Sequence, residues 1–443
     1  MAPINDDFSD RFDLREFTPG TDADGAPDAR TAPWMDAVGM GFHEGTLSPE
    51  SAARMAADFV EDGETFLGVY LREPFPGSVD ETWPVGTFTW LRKGLSWGDG
   101  ARVDTQAITG VTVRPTERRR GILRAMMTHA LTRGVEQGYA LASLTASEGT
   151  IYRRFGFGSA IRERAVSVRR NRALPFLAPT SGTVTVVPLA WLADGVGRGV
   201  FDRFHERTPG SMVRNSGTWP VVFGALTGDG EKAKDVRGAV HRAEGTDEID
   251  GYVTWKVKDS GGETTVEVVD LVYTDDAAYL SMWEFLLSID LNDVVQYKRS
   301  RLDDPIVAAL ADNRAYDVDH EEDHVWLRVL DVAATLSSRP YAVDGSVTLA
   351  VSDAMGFATG TYRLDVASGA GTVTRLSSDV LSEVDGAGVD VALDVADLGA
   401  LLIGSVSPVT LAAAGLLRAS DEAALRLRAM LLPPRTPHGI TYF

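Results

Sequence analysis

Residues 113–126 read Val-Arg-Pro-Thr-Glu-Arg-Arg-Arg-Gly-Ile-Leu-Arg-Ala-Met, and residues 146–158 read Ala-Ser-Glu-Gly-Thr-Ile-Tyr-Arg-Arg-Phe-Gly-Phe-Gly. From Leu123 onward, apolar residues recur at i, i+3, i+4, i+7 and i+8, which predicts an amphipathic helix. Gly138 is expected to end that helix, and residues 139–144 return as a strand. Together these patterns predict a βαβ-like unit with a turn rich in arginine and glycine at the helix N-terminus.

That turn is a candidate anion site. Val111 and Val113 lie on one face of the strand before it, and Gly110 is expected to mark a bulge or a close approach. The helix dipole, free backbone N–H groups and the arginines of residues 118–120 would all attract an anion, and Gly121 permits close approach. The alternative interpretation is a solvated basic helix start. A nucleic-acid patch is disfavoured because no wider basic surface supports it.

The net charge and the cysteine content of the chain exclude or disfavour several classes of function. The chain has 443 residues with 43 Lys+Arg against 63 Asp+Glu, a net charge of −20, and no cysteine. The charge disfavours a phosphate backbone as the main ligand, although an acidic surface can concentrate a cationic substrate. Without cysteine there is no disulfide, thiol nucleophile or cysteine-type metal site.

The pattern along the chain predicts three regions, 1–175, 176–330 and 331–443. In the first, helical and strand-like runs alternate, and a loop at 170–182 closes it. The second repeats this order loosely. The third has strands followed by helices, which predicts a small α+β domain.

Membrane and export signals are weak in this sequence. Residues 398–417 carry no charge, but their glycines and Pro408 favour two buried helices over a membrane span. Residues 1–15 lack the continuous apolar core of a signal peptide. The expected compartment is therefore the cytoplasm, with no membrane span and no nucleic-acid partner.

The βαβ-like unit resembles the acetyl-CoA core of the GNAT acetyltransferases, with Arg-x-x-Gly-x-x at 118–123 and Tyr-x-x-Phe-Gly-Phe at 152–157. Leu123 departs from that pattern, since many members carry Gly or Ala there. The two quoted strings, the chain length and the aromatic C-terminal residue are similar to the Eis (enhanced intracellular survival) branch. The resemblance implies tandem GNAT domains, the second without cofactor, then a sterol-carrier-protein-like α+β domain. It also implies a homohexamer.

The resemblance assigns a role to each matching residue. Tyr152 would be the general acid that protonates the departing CoA thiolate; the alternative is a core aromatic. The co-substrate would be acetyl-CoA, with no metal. Residues implied to hold it, through backbone groups facing the pantetheine arm, contacts to the pyrophosphate or the wall of the cleft, are Val111, Val113, Arg118, Arg119, Gly121, Ile122 and Ser147.

The acceptor side is implied in less detail. Glu44 falls where the family places an acidic pocket residue, so it is the candidate for binding an ammonium group; an ordinary solvent carboxylate is the alternative. The family's pocket tryptophan aligns with Met55, and Tyr442 replaces an acid. A less acidic pocket is therefore expected, which weakens the expectation of an aminoglycoside substrate.

The main-chain carboxylate of Phe443 is the second catalytic candidate. Most chain ends fray in solvent, but here a Pro433-Pro434 break precedes an apolar, turn-rich segment suited to docking. The resemblance implies that this carboxylate reaches the GNAT cleft and helps deprotonate the acceptor amine.

Two further motifs are set aside. Residues 320–324 read His-Glu-Glu-Asp-His and satisfy H-E-x-x-H, but the alternation that follows predicts a surface turn entering a strand rather than a zinc-binding helix. The glycines at 195–199 do not form a dinucleotide fingerprint and are expected in a loop before a helix.

Two function hypotheses follow. The first is an acetyl-CoA-dependent N-acetyltransferase that acts by direct transfer on small polyamine or aminoglycoside-type amines, with a protein lysine as the alternative acceptor. The second is a lipid or protein carrier with a vestigial GNAT domain. The intact residues Arg118, Gly121 and Tyr152 favour the enzyme.

Overall fold

The computed structural model describes residues 6–79, 81–228, 230–380 and 388–443, so residues 1–5 of the N-terminal segment lie outside the described residues. The first part of the chain alternates strands and helices. In chain order these elements are α1 (Asp6–Arg11), β1 (Phe12–Phe17), α2 (Thr31–Gly41), α3 (Pro49–Glu61), β2 (Thr65–Leu71), β3 (Gly86–Gly98), β4 (Ala101–Val113), α4 (Ile122–Glu136), β5 (Leu141–Thr145), α5 (Gly149–Tyr152), β6 (Gly158–Arg169) and α6 (Arg170–Ala173).

The second part repeats this alternation. Its elements are β7 (Thr183–Val187), α7 (Leu189–Trp191), α8 (Gly197–Arg207), α9 (Thr218–Val222), β8 (Arg237–Arg242), β9 (Ile249–Ser260), β10 (Glu263–Tyr273), α10 (Asp276–Ser288), β11 (Val294–Ser300), α11 (Ile306–Ala309) and β12 (Tyr316–Val329).

The two parts share one 12-stranded sheet in the order β1-β2-β3-β4-β5-β12-β6-β11-β10-β9-β8-β7. Strands β4 and β5 run parallel, and so do β10 and β11. The strand after each parallel pair crosses over: β6 pairs with β11, and β12 pairs with β5. Strands β6 and β12 also pair with each other. Each part therefore gives its last strand to the other, which joins them through main-chain hydrogen bonds rather than through side chains alone.

The third part forms a separate five-stranded sheet in the order β15-β14-β13-β16-β17 with helices beside it. This is the strand-then-helix arrangement that the sequence predicts. Its elements are α12 (Val332–Ser338), β13 (Gly345–Ser352), β14 (Gly360–Ala367), β15 (Ala370–Ser377), β16 (Val391–Asp394), α13 (Val395–Leu401), α14 (Pro408–Ala413), β17 (Leu417–Ala419) and α15 (Asp421–Leu431).

Helix α13 docks the third part onto the crossing strands β6 and β12. The backbones come so close that a Cβ on Gly158 would overlap the carbonyl of Ala396, and a Cβ on Gly399 would overlap that of Leu327. Arg153 reaches across the same contact and donates to Asp397 at 2.9 Å. The third part is therefore anchored one residue beyond Tyr152.

Two expectations about individual segments can now be compared with the structure. The uncharged stretch 398–417 contains the end of α13, the turn after it, all of α14 and the first residue of β17, so the two predicted helices are confirmed. Helix α13 is buried as expected, but α14 buries only Pro408 and Leu411. Within the described ranges, no helix is long and apolar enough to cross a membrane. Residues 320–324 lie wholly inside β12, so the predicted strand is confirmed but the surface turn is wrong. His320 is exposed, whereas His324 is buried.

Candidate active site

The parallel pair β4 and β5 opens into a cleft. Pairing runs from Thr105 with Leu141 to Ile108 with Leu144 and then stops, although β4 continues to Val113. A register shift against β3 puts a bulge at Gly110, whose φ of +61° suits glycine. Because bulges bend and twist a strand, β4 leaves β5 here. The backbone of residues 109–113 thus presents a free edge toward the cleft, and Val111 and Val113 lie on it.

The turn from β4 into α4 carries the predicted basic residues. Arg119 has a φ of +62° and Gly121 a φ of +83°, so the backbone turns sharply before the helix. No side chain caps the N-terminus of α4, and its first N–H groups are left for a ligand. Arg118 and Arg119 are exposed and form no ion pair with any described residue. The site is arranged to accept an anion.

The side chain of Ile122 plays no part in this surface. It is 2% exposed and packs in the core beneath α4. Only its backbone N–H, at the first position of the helix, is placed to face an anion. The assignment of Ile122 as a pyrophosphate residue therefore concerns its main chain.

Where the strands separate, a cavity of about 230 Å³ collects residues from distant parts of the chain. Five of the candidates line it: Glu44, Val111, Ser147, Tyr152 and Phe443. The turn residues Arg118, Arg119 and Gly121 lie beyond the end of β4 and do not line the cavity. The structure thus separates two groups of candidates: the basic turn, which we name the anion end, and the cavity, which we name the reaction end after the role predicted for Tyr152 and Phe443.

Tyr152 is placed to hold its proton. It is 8% exposed and its ring packs edge-on against Phe157, with centroids 6.2 Å apart. The hydroxyl makes no hydrogen bond to another described residue. Burial, with a smaller effect of Glu148, raises the pKa of Tyr152 to about 12. The phenol is therefore protonated at neutral pH and free to donate toward the cavity.

Three protein families match successive parts of the chain. Residues 57–160 and 210–329 each match an acetyltransferase (GNAT) domain, and residues 332–439 match a sterol carrier protein domain. An N-acetyltransferase of Streptomyces avermitilis is 32% identical over 421 residues, which cover 91% of this chain and 94% of that protein. The N-acetyltransferase Eis of Mycobacterium tuberculosis is 29% identical and covers 86% of this chain and 89% of its own length. The chain belongs to the Eis family of GNAT N-acetyltransferases.

The solved structures agree with this assignment. Eis1 from Mycobacterium abscessus superposes with a TM-score of 0.77 and 27% identity, covering 98% of this chain and all of that one. A GCN5-related N-acetyltransferase from Anabaena variabilis has a TM-score of 0.78 at 19% identity, which supports the fold. The predicted order of two GNAT domains and a sterol-carrier-protein-like domain is confirmed. The domain limits at 175 and 330 stay predictions, and the crossing of β6 and β12 shows that the sheet itself does not break there.

As a member of the Eis family, the chain is an acetyltransferase, and the hypothesis of a non-catalytic carrier is wrong.

The three residues expected around the acceptor amine lie in part elsewhere than predicted. Glu44 is exposed at the rim of the cavity. Met55 packs in a small core with Trp34 and does not line the cavity. Tyr442 also lies outside the cavity wall, because its hydroxyl donates to the Glu163 carboxylate on β6.

Sequence reasoning missed three residues around the reaction end. Thr145 ends β5 and donates its hydroxyl to the main-chain oxygen of Phe443 at 3.0 Å. Lys93 on β3 is buried, lies 5.4 Å from the centre of the Phe443 ring and donates to Asn215. Burial lowers the pKa of Lys93 to about 8 and raises the pKa of Glu64 to about 7. The sequence of β3, which carries Arg92 and Ser96 as well as Lys93, gave no signal that Lys93 is the buried cation.

Proposed function

We propose that the chain acetylates primary amines by direct transfer from acetyl-CoA, and that the first GNAT domain alone holds the co-substrate. The observation that carries the proposal is the cavity at the split of β4 and β5. It brings a protonated phenol, an exposed carboxylate and the end of the chain to one place, beside an uncapped and basic helix N-terminus.

The first GNAT domain fits acetyl-CoA along its whole length. The free edge of β4 at Val111 and Val113 offers main-chain donors and acceptors to an amide-bearing arm. Arg118, Arg119 and the N–H groups that follow Gly121 suit a pyrophosphate, and Ser147 faces the cleft between them. When bound, acetyl-CoA supplies an activated acetyl group and a thiolate leaving group.

Tyr152 is the proposed general acid. Its proton would pass to the sulfur as the C–S bond breaks and the N–C bond to the amine forms. Such catalysis requires the donor and acceptor to lie within about 3 Å in the productive complex. The raised pKa of Tyr152 supports this role, because the donor form prevails throughout the physiological range.

The main-chain carboxylate of Phe443 is the proposed acceptor of the amine proton. The hydrogen bond from Thr145 and the cation of Lys93 above the ring hold the residue at the cavity. A carboxylate with an ordinary pKa is a weak base for an ammonium. It would therefore act by holding the cation and relaying its proton through water.

The acceptor is proposed to be a small polyamine or aminoglycoside-type amine that enters by one amine-bearing arm. The cavity is smaller than the roughly 300–1,000 Å³ of ordinary ligand pockets, so the body of such a molecule would stay outside. Glu44 at the rim would meet a second ammonium.

The compartment is proposed to be the cytoplasm and the assembly a homohexamer, as the resemblance implies. Sedimentation of the full chain tests the assembly.

The test is thiol release from acetyl-CoA with a panel of amines: a polyamine, an aminoglycoside and a lysine-containing peptide, with an amine-free reaction as the control. Release above the control with the first two supports the proposal. Release with the peptide alone would move the acceptor class to protein lysines. No release with any amine would contradict the proposal.

A further inference from the structure

The last residues of the chain, 433–443, form a segment that we name the C-terminal tail. It runs along the contact between the two GNAT domains. The His438 backbone N–H donates to Pro209 at 3.0 Å, the Thr441 hydroxyl donates to Met212 at 3.0 Å, and Ile440 is buried in the core of the second domain. Phe443 reaches the cavity only because the residues before it are held in this way.

One titratable cluster lies under the tail. Glu163 on β6 is 2% exposed, accepts a hydrogen bond from the Tyr442 hydroxyl through Oε1, and has no hydrogen bond to Oε2 in the described residues. Oε2 lies 3.6 Å from Nδ1 of His324. Neither ring nitrogen of that histidine is hydrogen-bonded to a described residue. A buried carboxylate and a buried imidazole are thus left with unused polar atoms beside the tail.

The tail is fitted closely to this cluster. The His324 ring packs against the Tyr442 ring at 66°, with centroids 4.5 Å apart. A Cβ on Gly439 would lie 2.8 Å from the same histidine ring, so any larger residue there would displace the ring or the tail. The Arg299 guanidinium lies 5.4 Å from the centre of the Tyr442 ring. A small change at the cluster therefore reaches the tail directly.

We propose that Glu163, packed against His324, is a positioning residue that fixes the tail through Tyr442 and so sets the place of Phe443 in the cavity. The inference rests on the proposed role of the Phe443 carboxylate. Glu163 does not line the cavity and would act only through the tail.

The charges around Glu163 give this role a pH dependence. Burial raises its pKa to about 7; Glu322 on β12 acts in the same direction, and Arg299 on β11 and the Tyr442 hydroxyl oppose it. His324 stays neutral, since burial, Arg299 and His438 of the tail lower its pKa to about 3. Above pH 7 the carboxylate accepts a charge-assisted bond from Tyr442, which is stronger than a neutral one. As the pH falls through 7, Glu163 gains a proton and the tail loosens.

The experiment measures kcat from pH 5.5 to 9 for the wild type, Glu163→Gln and Tyr442→Phe, with KM for acetyl-CoA and hydrogen exchange of the tail on the same samples. The wild type should lose kcat by about tenfold below pH 7, from the loss of one charged hydrogen bond. Glu163→Gln should lack this loss of kcat at acid pH and keep only the pH dependence that it shares with the wild type through the acceptor amine, Glu64 and Lys93. KM for acetyl-CoA should stay within twofold, and tail exchange, corrected for intrinsic rates, should accelerate below pH 7 in the wild type but not in Glu163→Gln or Tyr442→Phe.

Glu322→Gln is the matched control, because Glu322 lies opposite Glu163 in the strand register but is exposed. Glu322→Gln should keep the loss of kcat at acid pH but show it at slightly lower pH, because Glu322 contributes to the raised pKa of Glu163. If Glu163→Gln does not fold, Tyr442→Phe carries the test, since that side chain is half-exposed. An unchanged profile and unchanged tail exchange in an active wild type and its variants would overturn the inference. A wild type that releases no thiol with any amine would overturn the proposed function instead, and tail exchange would still decide the positioning role.

Discussion

Each GNAT domain contains a parallel strand pair connected by a helix, β4-α4-β5 in the first and β10-α10-β11 in the second. The two helices begin differently. Helix α4 of the first domain starts at Gly121 without a side-chain cap and follows two unpaired arginines. Helix α10 of the second is capped by Asp275, whose carboxylate accepts from Ala278 N at 2.9 Å, and Asp276 adds a second acid in its first turn. In α10 the cap therefore occupies one of the N–H groups that an anion would need, whereas in α4 no side chain occupies any of them.

The clefts beside these helices differ as well. In the first domain the separated strands surround a cavity. In the second, Tyr273, Tyr279 and Tyr297 are fully buried beside the corresponding strands, and Tyr273 contacts His438 of the tail. The same topology thus yields a cavity in one copy and a packed core that contacts the tail in the other.

The largest expected effect comes from the hydroxyl at the reaction end. Tyr152→Phe keeps the ring and removes the proton donor, so kcat should fall by about 10²–10⁴-fold, the usual contribution of general acid catalysis. Tyr297→Phe in the second domain is the matched control and should leave kcat unchanged. Steady-state rates and thermal unfolding of both variants check this. A near-normal rate for Tyr152→Phe would assign the proton to water or to another donor.

The tail should show the next largest effect. Adding two glycines after Phe443, or deleting Phe443, displaces the terminal carboxylate by several Å, and misplacement of this size costs on the order of 10²-fold in rate. KM for acetyl-CoA should not change, because Arg118, Arg119 and Gly121 do not line the cavity that Phe443 enters. An equal extension at the N-terminus is the control. Full activity of the C-terminally extended chain would make Glu44, which lines the cavity, the next candidate.

The difference between the two domains was partly predictable from the sequence. The Arg-x-x-Gly pattern recurs in the second region, but only in the first does it lead from a strand into a helix, and this difference already predicts a single co-substrate site. The helix cap at Asp275 could also be predicted from the sequence, because an acidic residue there precedes a run of apolar residues at helical spacing. The cluster of Glu163, His324 and Tyr442 was not, because it joins three segments far apart in the chain. The exchange of β6 and β12 was likewise hidden, since strand partners depend on tertiary packing rather than on local pattern.

Substitutions in the basic turn test the difference between the two domains through the affinity for acetyl-CoA. Arg118→Ala and Arg119→Ala should each weaken acetyl-CoA binding by about 1.5–3 kcal/mol, the value of a hydrogen bond to a charged group, or about 10- to 150-fold in Kd. Arg120→Ala is the control, because Arg120 is already paired with Glu117 at 3.3 Å. Calorimetry of the wild type should give one acetyl-CoA per chain. Two per chain would place a second site in the other domain.

The smallest expected effect concerns the capped helix. Asp275→Ala removes the acceptor for Ala278 N–H, and loss of an N-cap typically costs about 1 kcal/mol of stability. Asp275→Ser retains a capping oxygen and is the matched control, with most of that loss avoided. Chemical denaturation with a tryptophan signal from the second domain measures both. Acetyl-CoA stoichiometry should remain one per chain in each variant, because an uncapped α10 still lacks arginines before it and an open cleft beside it. A second binding event in Asp275→Ala would mean that the cap alone separates the two domains. Its absence would mean that the basic turn and the split strands are both needed, as the first domain has them.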